Sequence, residues 1–231
     1  TTNKLLSRIA NKVLCAFDGA LPNAVTLGNP VRVEILALST HQKDYRQPPN
    51  LLIVGGSLGA RFLNQAVPLA LASMDLSERP AVRHQAGPKL LDEAKKSYAD
   101  AGVQAEVSAY IEDMATAYQW ADLVVCRAGA MTVSELAVAG VPALLVPFPF
   151  AIDDHQTANA QWLVDAGGAE IYQQSENNMA AFTAGLSALL KSPSTLAAMA
   201  AKARDKGVRN SSEQILSICE NLAKAGVTHV A

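Results

Sequence analysis

Residues 51–60 read LLIVGGSLGA, an apolar run that breaks into three glycines within five positions. Leu51–Val54 has the length and branching of a buried strand. Gly55, Gly56 and Gly59 then let the backbone turn tightly and approach a ligand with no Cβ in the way. The continuation ARFLNQAV, residues 60–67, is helix-forming, so the glycines mark a strand-to-helix junction. Unpaired N–H groups and the helix dipole at such a junction attract an anion by about 0.3–1 kcal/mol per charge, and up to about 2 when partly buried. The loop lacks the lysine that ends a Walker loop, and Val54 stands where a dinucleotide fingerprint has glycine. Taken alone, the stretch reads equally as a tight βα turn or as a phosphate cradle.

Outward from this loop the pattern alternates. A polar stretch with paired prolines, STHQKDYRQPPN at 39–50, precedes the strand at 51–54 and marks a connector. A helix is expected over 59–73, broken at Pro68, followed by a strand at 81–85 and a helix at 88–101 with Pro88 in its first turn. Strand 103–108, helix 112–120, strand 122–126, helix 131–139, strand 143–146, helix 154–166 and strand 169–172 continue the alternation. Gly140 and Gly167 follow two of the helices as stop signals, and two or three further helices end the chain. Upstream, NKLLSRIANK is a short amphipathic helix, and VLCAF and AVTL are candidate strands. Strands that alternate with helices predict an α/β fold, a Rossmann-like doubly wound parallel sheet covered on both faces. Ligands of such sheets bind at the carboxyl ends of the strands, which singles out loops 55–59, 109–114 and 127–132.

Composition excludes several classes. The chain has 231 residues, 50% hydrophobic and 17% charged, with a net charge of −2. That is the balance of a folded globular protein, and no basic stripe marks a nucleic-acid surface, so no nucleic acid is expected as partner. The longest apolar stretch, VAGVPALLVPFPFAI at 138–152, carries three prolines and a glycine and makes a poor membrane span. Cys15, Cys126 and Cys219 are far apart and flanked by apolar residues, which predicts buried free thiols in a reducing compartment. No metal-binding spacing is present, so neither a metal nor a cofactor is expected. The opening TTNKLLSRIA has neither an initiator methionine nor a signal peptide, as expected of a piece of a longer chain.

The loop at 127–132 carries the most chemistry. ADLVVCRAGAMTVSELAVAGVPALLVPFP runs strand, Arg-Ala-Gly-Ala turn, helix, glycine stop and strand. A helix starting near Met131 aims its free N–H groups, with those of Ala130 and Thr132, into the same crevice as the first loop. Two facing anion sites suit a diphosphate better than a single phosphate. One turn into that helix, Glu135 reads either as an acid complementing the dipole or as an acceptor for two neighbouring hydroxyls, such as those of a ribose. In DDHQTANAQWL, Asp153 or Asp154 starts a helix, and His155 and Gln156 fall on its first turn within reach of sugar hydroxyls.

GNPVR, GGSLGAR, the run YIEDMATAYQWADLVVCRAGAMTVSELAVAGVPALLVPFPF and DHQTANA, in this order and spacing, closely resemble the MurG family. That family has the two-lobe GT-B fold and transfers N-acetylglucosamine from UDP-N-acetylglucosamine to undecaprenyl-diphosphate-linked muramyl-pentapeptide, converting lipid I to lipid II in peptidoglycan synthesis. The resemblance runs nearly end to end and implies a remnant of the acceptor lobe at 1–29, an inter-lobe connector at 30–50, and a UDP-sugar-binding lobe at 51–231. It implies that Arg32 lies at the nucleotide, that Ser57 of the glycine loop contacts phosphate, and that Ile111 holds uracil through its backbone with Met114 nearby. Ala130, Met131, Thr132, Val133, Ser134 and Glu135 would contact phosphates, ribose and sugar, with Glu135 on the ribose. Gln156 and His155 would read the N-acetylglucosamine. Gly55, Gly56 and Gly59 would then cradle the diphosphate of UDP, backbone N–H groups replacing the missing lysine.

The family's preceding lobe carries a second glycine loop, of pattern GGTGGH, with a histidine proposed as general base. None of His41, His84, His155 and His229 stands in that setting, so no catalytic residue is expected in this chain. The resemblance also implies peripheral association with the cytoplasmic face of the bacterial inner membrane. Other readings are a donor-binding subunit of a transferase split between two polypeptides, a UDP-sugar epimerase, and a nicotinamide oxidoreductase, which Val54 disfavours.

Overall fold

The computed structural model describes residues 2–40, 43–56, 59–150, 154–174 and 178–227. The apolar runs Asn50–Val54 (β3), Leu123–Cys126 (β6) and Ala143–Leu145 (β7) are buried at every position, as strands covered on both faces must be. With Ala81–Gln85 (β4), Glu106–Ser108 (β5) and Ala169–Ile171 (β8) they form a parallel sheet of order β5-β4-β3-β6-β7-β8. The order runs outward from the β3–β6 pair in both directions, so the strand order reverses between these two strands. Their register places Leu51 beside Leu123 and Val54 beside Cys126.

The two-residue period of the strands divides the interior into two cores. Leu52, Val54, Val124, Cys126 and Leu145 face one. Leu51, Ile53, Leu123, Val125 and Leu144 face the other. Helices Val33–Leu36 (α2), Met114–Trp120 (α5), Ala130–Ala139 (α6) and His155–Asp165 (α7) cover the first face. Helices Arg61–Ala72 (α3), Leu91–Asp100 (α4) and Met179–Leu190 (α8) cover the second. Pro193–Lys206 (α9) reaches both cores, through Ala203 on one side and Leu196 and Met199 on the other. Ser211–Val227 (α10) closes the chain. No helix among the described residues is long and apolar enough to cross a membrane.

Several expectations change. Helix α3 runs through Pro68 without breaking. A mid-helix proline costs about 3 kcal/mol, and the burial of Leu63, Val67 and Leu71 on the same face, at about 1.5–3 kcal/mol each, offsets it. The helix expected from residue 88 starts as a 3₁₀ turn, Pro88–Leu90, before α4 proper. The helix expected over NKLLSRIANK shrinks to Thr2–Leu6 (α1), and the two upstream strands to Leu14–Cys15 (β1) and Val25–Thr26 (β2), paired parallel. Leu5, Leu6 and Ile9 are exposed, whereas Phe17 is buried and packs its ring 4.9 Å from that of Trp162 on α7. The three cysteines are free, but they are not all buried: Cys126 is, Cys15 is half-buried and Cys219 is exposed on α10. Burial pushes the Cys126 thiol up to about 12.

The stretch read as a connector is stitched to the sheet. Asn50 is the first residue of β3, one position before the expected start, and its N–H donates to Asp122 Oδ2 at 2.7 Å. Lys43 Nζ lies 2.9 Å from Asp122 Oδ1 and donates to the carbonyls of Gln119, Trp120 and Ala121 at 3.0, 2.7 and 2.8 Å. An ammonium thus caps the carboxyl end of α5, where orphan carbonyls and the helix dipole favour a cation.

On β4, His84 is fully buried, with Nδ1 2.9 Å from the Tyr98 hydroxyl and, among the described residues, no partner at Nε2. Burial holds its pKa down to about 3, whereas in the unfolded chain the imidazole protonates near 6.5. Between these values the unfolded state binds the extra proton, so stability falls as pH drops, by about 1.4 kcal/mol per pH unit. We predict that the stability advantage of wild type over His84→Gln, which keeps a partner for Tyr98, narrows at that rate from pH 6 to pH 4. Denaturant midpoints measured across this range check it, and parallel profiles for the two proteins would contradict it.

Candidate functional site

The reversal of strand order between β3 and β6 opens a crevice beyond their carboxyl ends. A cleft of about 720 Å³ lies there, within the range of small-molecule sites. The glycine loop after β3 forms one wall. Gly55 N–H donates to Gln85 O at 3.0 Å, holding the loop against the end of β4. Gly59 has φ +75°, and a Cβ there would lie 2.2 Å from the Ala86 carbonyl oxygen, so this position admits no side chain. Gly56, at φ +81° with open space around it, turns the backbone toward the cleft. Ser57 lies outside the described residues.

Helix α3 starts behind this loop with Ala60 at its N-cap, and α6 starts behind the opposite loop with Gly129 at its N-cap. Among the described residues neither end has a side-chain cap. The first-turn N–H groups of an α-helix have no partner within the helix, so two uncapped, positively polarised ends face the cleft through Ala60, Arg61, Gly129 and Thr132. The second helix begins at Ala130, one residue earlier than expected. A larger but open groove of about 1,030 Å³ runs between Arg79 and Glu106, near the amino ends of β4 and β5. Parallel sheets of this kind do not bind their ligands at that end.

The structure does not bring all the residues singled out in the sequence together. Gly55, Gly56, Gly59, Thr132 and Gln156 line the cleft. Arg32 and Glu135 form a separate cluster: the Arg32 guanidinium donates to Glu135 Oε1 from Nε at 3.2 Å and from Nη2 at 3.0 Å. The Tyr118 hydroxyl donates to Glu135 Oε2 at 3.2 Å. Burial and the Glu135 carboxylate push the Tyr118 phenol well above its ordinary range, so it stays a donor. Both oxygens of Glu135 are therefore engaged and the residue is buried, not open at the mouth of the crevice as a first-turn acid would be. Packing of α2 and α5 on α6 brings these three residues together.

Val133 is wholly buried, so only its backbone can meet a ligand. Ser134 is buried as well, and its hydroxyl accepts from Asn29 Nδ2 at 3.0 Å, away from the cleft. Met131 is exposed. Ile111 and Met114 pack, partly buried, on the same core as Ala130; Asp113 between them caps α5, accepting from Thr116 N–H at 2.9 Å. His155 opens α7, exposed and outside the cleft lining. Gln156 accepts from the Phe148 N–H at 3.0 Å through Oε1. Asp153 is outside the described residues, and Asp154, the N-cap of α7, accepts from the Thr157 hydroxyl rather than from a backbone N–H.

Arg61, Arg127, Phe148, Phe150 and Gln174 also line the cleft, and sequence reasoning did not single them out. Arg127 is the first residue past β6 and pairs with no carboxylate among the described residues. Its Nη1 donates to the carbonyls of Val146 and Pro147, both at 3.1 Å, and its guanidinium carbon sits 5.5 Å from the centre of the Phe148 ring. Burial pulls its pKa down to about 10, still far above neutrality, so a full positive charge stands at the cleft. The signal was available: the carboxyl-end rule that selected three loops applies equally to the segment after β7.

The Arg32–Glu135 pair joins a half-exposed guanidinium to a buried carboxylate, which places it between surface and interior ion pairs in strength. A double-mutant cycle of Arg32→Ala and Glu135→Ala is predicted to give a coupling energy of about 1 kcal/mol by denaturant unfolding. Strictly additive effects would show that the pair contributes nothing.

The model of the glycosyltransferase family 28 C-terminal domain matches residues 50–215. The chain is 48% identical over 229 residues to the UDP-N-acetylglucosamine--N-acetylmuramyl-(pentapeptide) pyrophosphoryl-undecaprenol N-acetylglucosamine transferase of Ralstonia nicotianae, covering 96% of this chain and 62% of the relative. The Aeromonas hydrophila protein of the same name is 51% identical over 226 residues, with the same coverage of 96% and 62%. The chain thus spans about three fifths of the length of these relatives. Among solved structures, MurG of Acinetobacter baumannii superposes with a TM-score of 0.82 at 40% identity, covering 96% of this chain and 64% of that one. With this family match and this superposition, the chain carries a GT-B donor-type lobe and belongs to the glycosyltransferase family 28 C-terminal domain family.

Proposed function

We propose that this lobe binds UDP-N-acetylglucosamine and supplies the donor half of N-acetylglucosaminyl transfer to undecaprenyl-diphosphate-muramyl-pentapeptide, the step from lipid I to lipid II in peptidoglycan synthesis. The observation that carries the reading is the pair of uncapped helix ends facing each other across one cleft. Fixed N–H dipoles on both sides, with the Arg127 charge beside them, suit a diphosphate. The relatives' names supply the donor and the acceptor.

In this reading the glycine loop and the first turn of α6 hold the two phosphates, Ile111 and Met114 the uracil, and Glu135 the ribose hydroxyls. Ribose takes the place of Arg32 on the carboxylate, and Arg32, half-exposed, swings toward the nucleotide. Gln156 and His155 serve the sugar. The acceptor's C4 hydroxyl, on the muramyl sugar, displaces UDP from the anomeric carbon with inversion. Negative charge grows on the departing diphosphate, so preorganised N–H groups aimed at it stabilise the transition state more than the ground state. The acceptor and the base that takes its proton belong to a second lobe, and peripheral attachment to the cytoplasmic face of the inner membrane goes with that lobe.

Calorimetric titration tests the reading. Wild type is expected to bind UDP and UDP-N-acetylglucosamine, to ignore NAD, to form no lipid II by itself, and to prefer UDP over 2′-deoxy-UDP. Glu135→Ala should lose two charge-assisted hydrogen bonds, about ten- to a hundredfold in UDP affinity, together with the preference for the 2′-hydroxyl. A wild-type protein indifferent to that hydroxyl would remove Glu135 from the ribose.

A further inference from the structure

The cleft lining is of two chemical kinds. The glycine loop, the helix starts and Arg127 supply N–H donors and positive charge. Next to them, with Phe148 against the Arg127 guanidinium, stand Phe148 and Phe150, both exposed, Phe150 to 81%. Their rings meet edge to face, 5.7 Å apart at 73°, and neither has a part in the diphosphate chemistry above.

Phe148 is anchored, and Phe150 packs on it. Pro147 and Pro149 fix φ on either side of Phe148. The Arg127 Nη1 group holds the carbonyls of Val146 and Pro147, and its guanidinium packs on the Phe148 ring. The Phe148 N–H is bonded to Gln156 Oε1, which leaves the NH₂ of that carboxamide to donate to a ligand hydroxyl. An aromatic ring left in water, packed on an anchored ring beside an oriented amide and inside a ligand cleft, gains by being covered on binding. The ligand portion that suits it has one apolar face and hydroxyls at its rim. A pyranose has that form: the C–H bonds of one face carry slight positive charge and match the electron-rich face of a phenyl ring.

We infer that Phe150, braced by Phe148, is a specificity residue that stacks against the apolar face of the donor's sugar ring, so that the cleft discriminates a UDP-sugar from UDP. The inference rests on the donor-binding reading proposed above. Its measure is the ratio of the affinity for UDP-N-acetylglucosamine to that for UDP, since UDP has no sugar to stack. Phe150→Ala should lower this ratio about three- to tenfold, the scale of one aromatic contact, with UDP affinity and thermal midpoint unchanged; Phe150→Trp should retain the ratio. Calorimetric titration of each protein with both ligands decides it. An unchanged ratio in Phe150→Ala beside normal UDP binding would overturn the inference and leave the donor-lobe reading standing. Equal weakening of both ligands would overturn it too, placing the ring at the nucleotide. Failure of wild type to bind UDP would overturn the donor-lobe reading, and this inference with it.

Discussion

The parallel pairing of β3 with β6 is the constraint on which the rest of the structure depends. A parallel strand cannot return by a hairpin, so each connection crosses the sheet through a helix. Because β4 and β5 lie to one side of β3 while β7 and β8 lie to the other side of β6, the helices that leave β3 and β6 go to opposite faces. Their amino ends separate at the reversal and leave a cleft between them. The N–H groups of both ends are then directed at one volume by backbone geometry alone. Neither helix spends a side chain on capping itself.

Close approach of backbone to backbone holds that arrangement. Gly59 touches the Ala86 carbonyl at a distance that excludes any Cβ, and the Gly55 N–H ties the same loop to Gln85. The loop after β3 is thus braced by the end of β4, while the loop after β6 is braced by Asn159, which donates to the Ala128 carbonyl at 3.1 Å. Charged groups complete the site from elements remote in sequence. Arg127 ties the end of β6 to the segment after β7, and Arg32 and Tyr118 hold Glu135 from α2 and α5. Lys43 and Asp122 perform the equivalent service at the far end of the sheet, where they join the segment before β3 to the α5–β6 junction. Each contact crosses between elements, so the site keeps its geometry only while the layers stay packed.

Much of this was legible in the amino-acid order. LLIVGG announces a central strand and a tight strand-to-helix turn because branched apolar residues and then glycines are the local solution to those backbone demands. The alternation of strand and helix patterns announces a parallel sheet, and Gly140 and Gly167 close helices where expected. The same local rules misjudged Pro68, because burial of the Leu63, Val67 and Leu71 face of α3 outweighs the lost hydrogen bond. They overestimated β1 and β2, whose short pairing receives little of the burial that sustains longer strands.

What the sequence by itself determined is therefore the class of fold, the loops after β3 and β6 that wall the cleft, and the glycines that only one backbone path explains. These are properties of residues close together along the chain, where period, branching and turn chemistry act directly. The tertiary structure alone decided that Glu135 faces Arg32 and Tyr118 instead of open solvent, that Ser134 turns to Asn29, and that the Arg127 guanidinium packs on Phe148 and holds the carbonyls after β7. Those partners lie between 17 and 103 residues apart for the bonds of Glu135 and 105 apart for Ser134. Their meeting follows from how layers of helices settle on a twisted sheet, a sum over many apolar contacts that no local pattern contains.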